Sequence, residues 1–232
     1  MKRPVVDLRS FRLSKINDPQ YSHLKYLLGW VGYFTFYFLT ENLIPIGQCH
    51  VIHTPLDDLI PFCEVFLIPY VFWYLFIVIT LVYFGLYDPD GFKKLMTFFI
   101  VTQVIAMMIY IAYPSVQLLR PTEFPRDNIL TRMTSILYAI DTNTGVCPSL
   151  HVAQSIGLAS AWSKERSVSK PFKVIVAVIM FLVCLSTMFV KQHSALDVVA
   201  ALPLALLADL IAYGDSLWIP WLEKKRNGSC SS

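Results

Sequence analysis

Two histidines and a carboxylate in the second half of this chain have the types and spacing of a nucleophile, its orienting partner and a proton donor. His193 and Asp197 stand four residues apart, and on a helix that spacing puts them on one face. A carboxylate against one ring nitrogen sets the tautomer and leaves the other nitrogen as nucleophile or base. His151 opens an apolar segment in "CPSLHVAQ" (147–154), where a second imidazole can give a proton to a departing oxygen. Ser149 stands where that segment's N-cap would be, and a helix N-terminus with free backbone N–H groups suits an anion. Arg120 and Lys191 add cationic donors, the arginine with a fork that matches phosphate oxygens. Such a set can move a phosphoryl group with no obligatory metal and no cofactor.

The elements that must bring these groups together are, by composition, membrane helices. Hydrophobic residues make up 56% of the 232 positions and only 15% are charged, against about 25% charged in an ordinary soluble protein. Apolar runs at 24–39, 65–87, 95–113, 172–190 and 195–213 approach the roughly 20 residues a bilayer-spanning helix needs. A sixth run, 150–162, is too short alone; it crosses if helix continues into 163–166 and its start lies below the membrane surface. The expected fold is therefore all-α, a six-transmembrane-helix bundle with both termini cytoplasmic. It forms a single domain over 1–232, with a polar N-terminal segment (1–23), the bundle (24–213) and a cytoplasmic tail (214–232). The N-terminal segment carries Lys2, Arg3, Arg9, Arg12 and Lys15 without an early apolar core, which is unlike a cleavable signal peptide.

Charge supports this topology. Of the 19 lysines and arginines, only Arg120, Arg126, Arg132 and Lys191 fall in loops assigned to the outside. The net charge of +3 matches anionic lipid headgroups on the inner face and is no argument for nucleic acid. The stretches 113–121, 147–151 and 186–197 then converge on the extracytoplasmic side. The first outer loop contains "CHVIHTPLDD", whose His50, His53, Asp57 and Asp58 have intervals at which metal ligands occur. The remaining geometry of a metal site is unspecified, and the preferred expectation is a loop that covers the site or reads a lipid headgroup. Cys49 and Cys63 share this loop, and a disulfide between them is open in an oxidising compartment. Asp209, nearer the inner end of its span, is expected to be structural, and the small residues of "VAQSIGLASA" suit the bundle centre.

Taken together, Tyr113…Arg120-Pro121, Pro148-Ser149-Leu150-His151 and Ser186-Thr187…His193…Asp197 resemble the three signatures of the type 2 phosphatidic acid phosphatase superfamily, in order and spacing. That superfamily includes membrane lipid phosphatases, lipid phosphotransferases and vanadium haloperoxidases. The resemblance spans roughly residues 95–213. It implies that His193 attacks phosphorus, Asp197 orients it, and His151 protonates the leaving alcohol and then activates the acceptor. It also implies that Arg120 and Ser149 hold phosphoryl oxygens. Tyr113, Leu150 and Thr187 depart from the family's lysine, glycine and arginine, and Lys191 is the candidate substitute for one missing cation. Pro-Ser-Leu-His and the Thr-Met-Phe that follows Ser186 look like the inositol phosphorylceramide synthase branch, where an alcohol replaces water as acceptor. The expected function is a metal-independent lipid phosphate phosphatase acting through a phosphohistidine intermediate at the outer membrane face, with a membrane lipid phosphate as substrate and the lipid bilayer as surroundings. Lipid phosphotransferase is the alternative, and a non-enzymatic anion or lipid transporter is the alternative of another class.

Overall fold

The computed structural model describes residues 4–214; residues 1–3 and 215–232, including Lys2, Arg3 and the expected tail from 215 onward, lie outside the described residues. The fold is mostly helical: α1 (Leu28–Leu43), α2 (Pro55–Leu59), α3 (Leu67–Tyr87), α4 (Pro89–Ala112), α5 (Ile129–Ile140), α6 (Leu150–Lys164), α7 (Lys170–Phe189) and α8 (Ala195–Tyr213). Caps written in the sequence set several boundaries. Asp88 ends α3, and its side chain accepts from the Gly91 amide to start α4, with Pro89 in the first helical position. Ser169 accepts from the Phe172 amide at the start of α7.

Four segments are long and apolar enough to cross a membrane: Glu64–Tyr87, Pro89–Ala112, Lys170–Phe189 and Ala195–Tyr213. The other two expected spans come out short, α1 with 16 residues and α6 with 15. The first run is shortened at its start, because Ser22–Leu27 winds as a tighter 3-10 turn ahead of α1. Outward faces are apolar, with Val31, Leu75, Phe181 and Val199 all more than half exposed, as expected of surfaces that meet hydrocarbon.

Helix α6 sits at the centre, against α4, α7 and α8. Small residues allow that position. A Cβ added at Gly157 would stand 2.4 Å from the Phe98 ring of α4. Phe98 and Phe99 of α4 and Ala153 and Leu158 of α6 are wholly buried. Between α6 and α8, Lys164 pairs with Asp209 at 2.7 Å, so the two charges neutralise one another inside the bundle.

At this end of the bundle the N-terminal segment folds back. The Val5 and Val6 amides donate to the Leu86 carbonyl at 2.8 and 3.1 Å, and His23 Nε2 lies 3.0 Å from the Gly85 carbonyl oxygen. Lys94, just after the α3–α4 turn, lies over the Tyr213 ring at the end of α8. Both described chain ends therefore occupy one end of the bundle. The loops after α1, α4, α5 and α7 gather at the other.

The all-α expectation misses one feature at that second end. Strand β1 (His50–Val51) pairs in parallel with β2 (Ser115–Val116), in register His50 with Ser115, and Val116 bridges to Thr144. Two-residue strands are too short to carry an alternating pattern. No disulfide joins Cys49 to Cys63; backbone pairing, together with the Cys63 amide on the Phe189 carbonyl, holds this loop instead.

Candidate active site

His193 owes its place to a sharp exit from α7. Lys191 takes φ of 55°, the left-handed conformation common where helices end, and the Gln192 and His193 amides both donate to the Thr187 carbonyl. The chain re-enters helix at once: Ser194 caps α8, and Asp197 reaches back to accept from the Ser194 amide at 2.9 Å. The same oxygen, Oδ2, lies 3.3 Å from His193 Nδ1, and Asp197 is fully buried. That pairing assigns the ring proton to Nδ1 and leaves the Nε2 lone pair available.

His151 lies in the first turn of α6. Ser149 is the N-cap of that helix, its Oγ accepting from the Val152 amide. The Ser149 amide donates to the Asp197 carbonyl at 3.1 Å, and Tyr110 of α4 donates to the Pro148 carbonyl at 2.6 Å. Helix α3 supplies the surroundings of the imidazole: Tyr70 stacks on it at 4.7 Å between ring centres, Trp73 lies at 4.4 Å, and Tyr74 Oη is 3.3 Å from Nε2. The ring centres of His151 and His193 are 5.6 Å apart. Segments more than forty residues apart in sequence thus present two imidazoles to one space.

Both rings line a cavity of about 580 Å³ between α1, α3 and the outer loops. One end is aromatic and aliphatic, with Trp30 and Phe34 of α1 facing Val78 and Leu81 of α3. The other end is polar: His151, His193, Gln192, Asp141, Thr142 and Thr144. Such a shape, apolar wall and few convergent polar groups, is that of a small-molecule site.

The cationic residues named from sequence are placed elsewhere, and neither lines the cavity. Arg120 spends its terminal nitrogens on the carbonyls of Tyr138, Asp141 and Thr142 and on Gln192 Oε1, with the guanidinium over the Tyr138 ring. Those carbonyls belong to the end of α5 and the residues after it, where a cation suits the helix dipole. Lys191 turns its ammonium onto the Asp57 and Ile60 carbonyls. Both cations therefore stitch loops. Ser149 is buried under its own helix and is not a cavity wall.

The first outer loop is likewise structural in its contacts. Asp57 is buried and accepts from Thr54, Ser194 and Ala195; burial pushes its carboxyl upward, but these hydrogen bonds outweigh it and hold the group below the ordinary carboxylate range. His53 pairs with Asp58 at the exposed surface, and His50 stacks on Tyr113 at 4.1 Å. Among the described residues no three such side chains gather as metal ligands.

Asp141, absent from the sequence-based site, is a wall of the cavity. Its Oδ2 accepts from Tyr70 Oη at 2.9 Å and from Gln192 Nε2 at 3.3 Å. Burial raises its carboxyl above the ordinary value, opposed by the Tyr70 hydrogen bond and by His193 and Arg120. Cys147 is no competing nucleophile, since burial and neighbouring Asp197 push its thiol up to about 12. Chemically, the arrangement offers one oriented nucleophilic nitrogen, one second imidazole and a carboxylate at the mouth of an apolar cleft. Comparison with protein-family models, curated proteins and solved structures returns no match.

Proposed function

We propose that this chain is an integral membrane enzyme that breaks lipid phosphate esters through a phosphohistidine and passes the phosphoryl group to water. The observation that carries this reading is two imidazoles 5.6 Å apart in one cavity, one of them against the fully buried Asp197. In the proposed reaction His193 Nε2 attacks phosphorus, and the bond from phosphorus to the glycerol oxygen breaks. The electron pair leaves on that oxygen, which takes its proton from His151. Asp197 balances the positive charge that develops on the phosphorylated ring. His151, now neutral, accepts a proton from water; the water oxygen attacks phosphorus, and the P–N pair returns to His193.

In this proposal the chain crosses the bilayer six times, with both termini cytoplasmic and the cavity on the extracytoplasmic side. The short α6 is compatible with that plan because protein surrounds it on several sides. A helix so enclosed need not match the hydrocarbon thickness by itself. The test is release of diacylglycerol from phospholipid in mixed micelles by the purified chain. Turnover in excess EDTA, inhibition by vanadate and loss of turnover in His193→Ala are expected. Absence of turnover with every phospholipid offered would leave the transporter reading in its place. A new phospholipid appearing only with an added alcohol, instead of water-derived product, would make it a transferase.

A further inference from the structure

The two imidazoles of the cavity are supported in different ways. His193 has Asp197 against its Nδ1, whereas among the described residues no carboxylate lies within ion-pair distance of His151. The partner of His151 is Tyr74, whose Oη is 3.3 Å from Nε2. Tyr74 and Tyr70, four residues apart on α3, are hydrogen-bonded to each other, and Tyr70 Oη donates to Asp141 Oδ2 at 2.9 Å. A continuous chain, His151–Tyr74–Tyr70–Asp141, therefore joins the second imidazole to a carboxylate. Gln192 Nε2 gives Asp141 Oδ2 a second donor, and Arg120 holds Gln192 Oε1, so the far end of the chain is fixed. That end sets the direction of every bond in it. An ionised carboxylate only accepts, and a phenol has one proton to give. Tyr70 spends its proton on Asp141, so its oxygen accepts from Tyr74, and the Tyr74 oxygen is left to accept from His151. Nε2 of His151 thus carries a hydrogen. Nδ1, on a ring that lines the cavity, has no hydrogen-bond partner among the described residues.

We propose that Asp141, Tyr70 and Tyr74 are the positioning residues of His151: through two phenols they supply the counter-charge that Asp197 gives His193 directly, and they make Nδ1 the nitrogen that gives and takes the proton. This inference rests on the histidine mechanism above and adds the relay and the reacting atom. The need for it is physical. The His151 ring lies against Tyr70 at 4.7 Å and Trp73 at 4.4 Å between ring centres, and a cation there has exchanged water for aromatic carbon. Aligned O–H groups ending in a negative charge replace part of that hydration. The other ionisable groups nearby do not serve. His193, 5.6 Å away, turns positive when phosphorylated and opposes the His151 cation; Asp197 is taken up by His193 and the Ser194 amide; Arg120 is a cation beyond Asp141; Tyr37 of α1 is a further phenol near Tyr74. In the reaction the departing alkoxide takes the Nδ1 proton and the ring stays neutral with its hydrogen on Nε2. The attacking water then returns a proton to Nδ1. No proton leaves either tyrosine. The two histidines work through opposite nitrogens, Nε2 of His193 and Nδ1 of His151.

The relay is tested without substrate by nitrogen-15 NMR of the histidine side chains in the full-length chain in detergent, with His151 assigned by the signal lost in His151→Gln. The neutral ring is expected to carry its proton on Nε2. Tyr74→Phe and Asp141→Asn should each lower the His151 pKa by about one unit, because each weakens the hold on the cation. Their double variant should lower it no further than the larger single effect, as links of one chain do. Tyr70→Phe cuts the same chain in the middle and serves if the Asp141 variant fails to fold. A neutral ring protonated on Nδ1, a His151 pKa unmoved by a folded variant, or effects that add in the double variant each overturns the relay while leaving the histidine mechanism standing. The catalytic part is read as kcat/KM, which reports the steps up to the phosphohistidine. Phosphatidic acid and 4-nitrophenyl phosphate pass on the same phosphoryl group, but only the first has a leaving oxygen that needs a proton. The loss in Tyr74→Phe and in Asp141→Asn should be at least about tenfold greater with phosphatidic acid. Equal losses with both donors would mean that these residues do not act through the acid. Failure of both donors with the wild type, or full turnover by His193→Ala, overturns the mechanism and with it the catalytic role of the relay, and the NMR result then decides the relay alone.

Discussion

Asp57, on the short helix α2 in the connection after α1, holds the start of α8: Ser194 Oγ donates to its Oδ2 at 2.5 Å and the Ala195 amide to its Oδ1 at 2.7 Å. Because Ser194 follows His193 directly, the connection between α1 and α3 sets the backbone of His193 without lining the cavity. Asp57→Ala is expected to lower stability by about 2 kcal/mol, the usual range for hydrogen bonds to a charged group. The drop should be read as thermal unfolding in detergent. Turnover should fall with little change in KM, since no substrate contact is lost.

The same carboxylate gives a pH dependence. Its folded pKa lies below its unfolded value, so its contribution is fully present above roughly pH 4 and is lost as pH falls through the folded value. The stability difference between wild type and Asp57→Asn should be flat from neutral pH down to about pH 5 and shrink below about pH 4. A difference that grows on acidification would refute this assignment.

Lys191 combines a left-handed backbone with an ammonium fastened to the Asp57 and Ile60 carbonyls. Lys191→Met keeps the strained backbone and loses the fastening; Lys191→Gly loses the fastening and relieves the strain. Glycine should therefore be the more stable of the two by about 1 kcal/mol. In both variants KM for the lipid should stay within about twofold of wild type, which a phosphate ligand would not allow.

Asp197→Asn keeps the shape of the pair and removes its charge. Turnover should fall by about ten-thousandfold, as when other catalytic histidines lose an ionised partner, while lipid binding survives. Pulse labelling with a phosphorus-32 donor should then show less phosphohistidine formed per unit time.

Gly157 lets α6 approach Phe98, and a Cβ there would stand 2.4 Å from that ring. Gly157→Ala should destabilise the protein by about 1–3 kcal/mol, as overpacked cores do. Because α6 carries His151, turnover should fall as well, and Phe98→Leu in the same chain should restore part of both.

What was legible in the sequence follows from how locally each signal is encoded. The long apolar runs at 65–87, 172–190 and 195–213 correspond closely to α3, α7 and α8, because length and hydropathy need no partner to interpret. His193 with Asp197, and Ser149 with His151, were readable from fixed offsets of four and two residues at the starts of α8 and α6. Helix α5 was missed although Asn128 and Thr131 form a capping box ahead of it; its apolar residues come mixed with Thr, Arg and Ser, which a search for membrane spans passes over. The roles of Arg120, Lys191 and Asp57 depend on carbonyls and hydroxyls up to 138 positions away, and residue type alone favoured phosphate for the two cations. Asp141 had no motif around it. Only the meeting of the α5 exit with Tyr70 and Gln192 makes it part of the cavity.

Helix α6 has a kinetic consequence through its length. Fifteen residues of α-helix rise about 22 Å, short of a hydrocarbon layer about 30 Å thick. In the proposed membrane arrangement, with Lys164 at the inner boundary, His151 sits within the outer leaflet and not above it. A phospholipid would reach the histidines by sliding sideways, its chains never leaving oil. Turnover would then track the mole fraction of donor in the two-dimensional film, and diluting the film with inert lipid would slow the enzyme at constant bulk concentration.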